Sequence, residues 1–166
     1  MGVIKEIETL VDVGAIKRVR ARFFQEAYEE EKESFDAEDI EQVKINDWYI
    51  KRFLLASNGN ETDGYNRLVS ALRWRKDMCI RSLKDEDFMQ ELYNTGSLFL
   101  YEKDKDGLPS LVMRCKFLKR IPEMLDNMKQ FCMYLVFKID EQVNGHGNYF
   151  IHFPDNYFAS FQPLFN

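Results

Sequence analysis

Near Gly96 the spacing of the apolar side chains changes, and this change constrains the fold more than any other feature of the chain. Before it, apolar residues recur three and four positions apart. After it, they gather in short runs bounded by turn residues, with one long stretch of helical period between the last two runs. That order requires helices first, then strand, strand, helix and strand, an α/β arrangement with its helical part gathered at the N-terminal side.

In the helical part, Ile16, Val19, Phe23, Ala27 and Tyr28 predict an amphipathic helix over 15–31. Its bases Lys17, Arg18, Arg20 and Arg22 come early and its acids Glu26, Glu29, Glu30 and Glu31 late, opposite to what the helix dipole favours. Packing or a partner must therefore stabilise this helix more than its own end charges do. Asp36 and Asp47 are expected N-caps of the next two helices, the second of which is Trp48 to Leu55. Ser57-Asn58-Gly59-Asn60 then breaks the chain. Tyr65, Leu68, Val69 and Leu72 predict a fourth helix closing on Arg73-Trp74-Arg75-Lys76, with Trp74 expected to be packed, and a fifth helix is expected over 85–93.

Beyond Gly96, SLFLYE (97–102) and PSLVMRC (109–115) flank the turn Lys103-Asp104-Lys105-Asp106-Gly107 and read as paired strands. Pro122 suits the first position of a helix running to about Glu141. On it Leu125, Met128, Phe131, Cys132, Leu135, Val136 and Ile139 form an apolar face fit to cover a sheet. NYFIHF (148–153) reads as a third strand.

Several classes of chemistry are disfavoured. A net charge of −5, from 23 basic against 28 acidic side chains, does not suit a duplex-binding surface, so no nucleic-acid partner is expected. Cys79, Cys115 and Cys132 are odd in number and far apart, which gives neither a disulfide framework nor a zinc site and points to a reducing compartment. There is no run of about 20 apolar residues and no signal-peptide core, so a cytoplasmic location is expected. Glu102-x-Asp104-x-Asp106-Gly107 imitates the start of a calcium loop, but the twelfth position is Met113 instead of a bidentate carboxylate, and Leu108-Pro109 leads into a strand. No metal is expected. Neither His146 nor His152 has an evident Ser or Cys partner, no G-x-S-x-G elbow occurs, and Gly145-x-Gly147 lacks the rest of a phosphate cradle. The chain is thus expected to be non-catalytic and without a cofactor. Its remaining chemistry is basic: Lys17/Arg18/Arg20/Arg22, Arg73/Arg75/Lys76 and Lys116/Lys119/Arg120 could each meet an anionic bilayer or a lipid phosphate.

Three motifs in order carry a resemblance. Trp48-Tyr49-Ile50-Lys51-Arg52-Phe53-Leu54-Leu55-Ala56, then Leu72-Arg73-Trp74-Arg75-Lys76, then Asp104-Lys105-Asp106-Gly107-Leu108-Pro109 resemble the opening of a CRAL-TRIO lipid-binding domain, over about Arg18 to Phe153. Arg20 to Arg22, Tyr28, Phe35 to Glu41 and Trp74-Arg75-Lys76 are similar to members in which this region precedes a motile-sperm-type domain and an endoplasmic-reticulum anchor.

The resemblance implies an N-terminal helical bracket over 15–95, then the first strands and helix of an α/β lobe over 96–153, with 154–166 a divergent aromatic tail where the family has further strands and a gating helix. Leu55 and Ser57 stand where phospholipid-binding members carry bases. The implied function is binding of a hydrophobic ligand or membrane lipid, with lipid transfer or a contact-site role, in the cytosol or at the cytosolic face of the endoplasmic reticulum. Leu98, Leu100, Leu111, Met113, Phe131, Leu135, Phe150 and Phe153 are the candidate cavity lining. Arg73, Arg75, Lys76, Lys116, Lys119 and Arg120 are the candidate headgroup or membrane contacts. The rival expectation is a protein-interaction or scaffold module, or a truncated product, without a ligand cavity.

Overall fold

In the computed structural model, which describes residues 11–103, 109–114, 125–142 and 150–152, Asp12 accepts the amide hydrogen of Ala15 and so begins α1 (Val13–Phe23). The unfavourable charge order of this helix is answered from other helices. Arg18 grips Glu61 through Nη2 to Oε1 at 2.7 Å and Nε to Oε2 at 3.0 Å, while Arg20 donates to the Val43 carbonyl at 2.8 Å and to Asp47 at 2.6 Å. Cross-helix partners thus supply what the helix ends do not.

After α1 the chain continues as a widened π turn, Phe24–Tyr28, in which Phe23 meets Tyr28 five positions on (ring centroids 6.4 Å) and Phe24 meets it edge-on at 5.5 Å. Asp36 occupies the N-cap position of α2 (Ala37–Ile45), but its carboxylate pairs with Lys76 and makes no cap hydrogen bond. Asn46, and not the expected Asp47, caps α3 (Asp47–Ala56), because its side chain accepts from the amides of Trp48 and Tyr49. Asn60 caps α4 (Glu61–Asp77) in the same way, after a turn in which Asn58 and Gly59 take φ values of 51° and 80°. Gly64 lets α3 and α4 close together: a Cβ there would stand 2.9 Å from Leu54 Cδ2. Val19, Phe23, Val43, Ile50, Leu54, Leu68 and Leu72 form the centre of this packing. Trp74 is 39% exposed, so truncating it would vacate little packed volume, contrary to the expectation that it is packed.

The chain divides into two compact units between Arg81 and Ser82, earlier than the expected boundary at 95 to 96. The physical reason lies in residues 85–94. They form a 3₁₀ turn (Asp85–Asp87) and a short α5 (Gln90–Asn94) instead of one helix, because Phe88 and Met89 between them are extended. Phe88 and Leu92 are then buried with the sheet's apolar side chains and not with the first helices.

In the second unit β1 (Leu98–Lys103) pairs antiparallel with β2 (Pro109–Met113), setting Leu98 against Met113 and Leu100 against Leu111, with an irregularity between Tyr101 and Lys103. β3 (Phe150–His152) lies parallel to β2, giving the order β1-β2-β3. Parallel neighbours need a long crossover, and α6 (Leu125–Gln142) provides it. Phe131, Leu135 and Ile139 of α6 join Leu98, Leu111 and Met113 in one apolar layer. Pro122, the turn at 104–108 and the tail at 154–166 lie outside the described residues.

Candidate apolar site and two carboxylate hubs

Alternation along β1 and β2 sends Leu98, Leu111 and Met113 to one side, and the period of α6 presents Phe131 and Leu135 to the same layer. All five are buried, and Leu100 packs half-buried against them. Met113, at the position where a calcium loop needs its bidentate acid, is a core side chain. Phe150 stands in β3 in register with Ser110, whereas Ile151 pairs with the buried Leu111. Phe153, Lys116, Lys119 and Arg120 lie outside the described residues.

The bases at the end of α4 are turned toward acids of their own unit. Arg73 Nε meets Glu31 at 2.9 Å, Lys76 Nζ meets Asp36 at 3.1 Å, and Arg75 Nε meets Asp39 at 3.1 Å. Asp39 is the centre of a hub that the sequence reading missed. It is 0% exposed, and besides Arg75 it receives Arg81 Nη2 at 2.7 Å and the Tyr49 hydroxyl at 3.0 Å. Arg81 also reaches Glu38, and Arg52 lies over the Tyr49 ring at 4.2 Å. Burial opposes the charge on Arg81, but the hydrogen bond to Asp39 and the fields of Asp39 and Glu38 outweigh it and hold the guanidinium more firmly protonated than usual. Burial pushes the Tyr49 hydroxyl well above its ordinary range, so it remains a donor. The missed signal was Asp39 itself, an acid at the apolar position of the series Phe35, Asp39, Val43.

A second hub stands in the other unit. The carboxylate of Asp85, 61% exposed, accepts from Tyr93 Oη at 3.1 Å, Tyr134 Oη at 3.2 Å and Lys138 Nζ at 3.0 and 3.1 Å. The Lys138 hydrogen bond is the main cause that holds the Asp85 carboxyl below its ordinary range. Burial, aided by Asp85, pushes the Tyr93 hydroxyl up to about 12.

Each hub braces its own unit. Burial raises the Cys132 thiol to about 11, which keeps it neutral and inert near neutral pH. Among the described residues no group of three or more His, Cys, Asp or Glu side chains could hold a metal ion, and no helix is long and apolar enough to cross a membrane. No protein-family model matches the chain, and no solved structure matches it.

Proposed function

We propose that this chain is a non-catalytic binder of a hydrophobic ligand or membrane lipid, of the CRAL-TRIO kind, acting in the cytosol or at the cytosolic face of the endoplasmic reticulum in lipid transfer or at a contact site. The observation that carries this reading is the apolar layer itself. Leu98, Leu111 and Met113 on the sheet and Phe131 and Leu135 on α6 form one buried apolar layer, preceded in the chain by a separate helical unit. Binding sites for apolar molecules are lined in this way, with few polar groups. Arg73, Arg75 and Lys76 are committed to Glu31, Asp39 and Asp36, so peripheral membrane contact would draw on other bases or on exchange of the exposed pairs.

The test is mass spectrometry of organic extracts from the purified chain, followed by uptake of lipid from mixed vesicles. A stoichiometric co-purified or extracted lipid is expected. Absence of both would sink the reading. The rival, a protein-interaction module, is favoured by one observation: Tyr101 on β1 is 62% exposed and lies edge-on beside Phe99 at 6.3 Å, an aromatic pair on the strand at one end of the sheet order. It would gain if the chain takes up no lipid and Tyr101→Ser abolishes capture of a partner protein.

A further inference from the structure

One flank of α6 is closed by residues 85–93, and that seam is built in two levels. In the lower level the Phe88 ring meets Phe131 at 5.2 Å and Tyr134 at 5.0 Å, and Tyr93 meets Phe131 edge-on at 4.8 Å. Above these rings stands the Asp85 hub. Two of its three donors, Tyr134 and Lys138, lie one turn apart on α6, so a single carboxylate holds about one turn of the helix. Tyr93, from α5, ties the same carboxylate to the wall and also donates to the Asp85 carbonyl at 3.2 Å.

The two levels respond differently to water. The ring contacts are apolar and lose free energy when wetted, but the rim is open: Asp85 and Lys138 are 61% and 33% exposed and can exchange each other for solvent at small cost. On the sheet-facing side Leu135 and Ile139 are buried and have no such exchange available. Of the contacts that hold α6, the Asp85–Lys138 pair is therefore the one that exchanges for solvent at the least cost.

We infer that Asp85 is a latch on α6, whose engagement with Tyr134 and Lys138 sets how fast the apolar layer opens and closes around a hydrophobic ligand. This rests on the reading of that layer as the ligand seat. Opening exposes the layer from the side of Phe88 and Phe131 without unpairing the strands, so ligand exchange proceeds with the sheet intact. The latch acts on the rate in both directions, since Asp85 and Lys138 are not among the side chains of the apolar layer.

The full chain carrying Asp85→Asn keeps the size of the side chain and loses the charge that holds Lys138. With the neutral dye N-phenyl-1-naphthylamine as probe, stopped-flow fluorescence should show association and dissociation both faster by about fivefold, the factor that an exposed ion pair can supply, with Kd within about twofold of wild type. Lys138→Met should behave likewise, and Lys138→Arg should restore the wild-type rates. Amide exchange over residues 131–142, measured without ligand, should accelerate in the first two variants. If Asp85→Asn does not fold, Lys138→Met carries both measurements. Unchanged exchange of the α6 amides, or unchanged probe rates where the probe binds, overturns the latch. Faster amide exchange with no probe binding even to wild type leaves α6 latched but removes the ligand seat, and so overturns the proposed function and the latch's role in ligand entry together.

Discussion

The two units use the same device, a carboxylate that gathers a tyrosine hydroxyl and cationic donors, and they use it at opposite extremes of burial. Asp39 is sealed inside the helical unit with Arg75, Arg81 and Tyr49, whereas the Asp85 carboxylate is largely in water, where it meets Lys138, Tyr93 and the hydroxyl of the otherwise buried Tyr134. Coulomb attraction is screened little at the first and strongly at the second. Removing one partner from a buried hub strands the others without water, while the exposed hub hands its members to solvent. Identical chemistry thus serves as a fixed brace in one place and as a releasable contact in the other.

The largest effect that would break this comparison is expected at the buried hub. Asp39→Asn should destabilise the helical unit by about 4 kcal/mol, because Arg75 and Arg81 lose the buried carboxylate they share, Arg81 keeping its pair with the exposed Glu38. Urea denaturation followed by helical circular dichroism checks this, and a loss below about 1 kcal/mol would mean that Asp39 is no brace. Next, Tyr49→Phe removes one hydrogen bond to the same carboxylate and leaves its charge pairs intact, so about 2 kcal/mol is expected in the same measurement. At the exposed hub Asp85→Asn should cost under about 1 kcal/mol despite losing a comparable set of contacts. A cost equal to that of Asp39→Asn would erase the distinction between the hubs.

The smallest expected effect is in the pH dependence of that last difference. The folded-state carboxyl of Asp85 lies below its unfolded value of about 3.9, so its contribution is present above that value and is lost as pH falls through the folded value. Melting curves of wild type and Asp85→Asn should therefore differ at pH 7 and converge in strong acid. A gap that widened with acidification would contradict the assigned direction.

Local patterns in the sequence carried the periodic parts of this architecture. The apolar series on α4 and α6 and the alternation through Leu98, Leu111 and Met113 report burial directly, and the core positions follow from them. Partners far apart in sequence were not legible in this way. Lys76 meets Asp36 across 40 positions and Arg81 meets Asp39 across 42, so local spacing could not show which acids these bases meet. The unit boundary failed for a related reason. The period of 85–93 says that one face is apolar, but not which neighbour covers it, and only the extended Phe88 shows that the cover is the sheet unit. The Asp47 cap failed more narrowly, since Asn46, one residue earlier, offers the better-placed oxygen.

The π turn at Phe24–Tyr28 bears on how this chain tolerates changes in length. A π turn holds one residue more than an α turn, and here it lets Phe23 and Tyr28 share a face although they are five positions apart. Deleting the exposed Gln25 would return the segment to ordinary helix with the tyrosine four positions from Phe23, still on the same face. A loss of one residue elsewhere in α1 would rotate every later side chain by about 100° and pull Phe23 from the core. The segment thus carries one dispensable residue at a defined place, where a variant one residue shorter should keep the same aromatic packing.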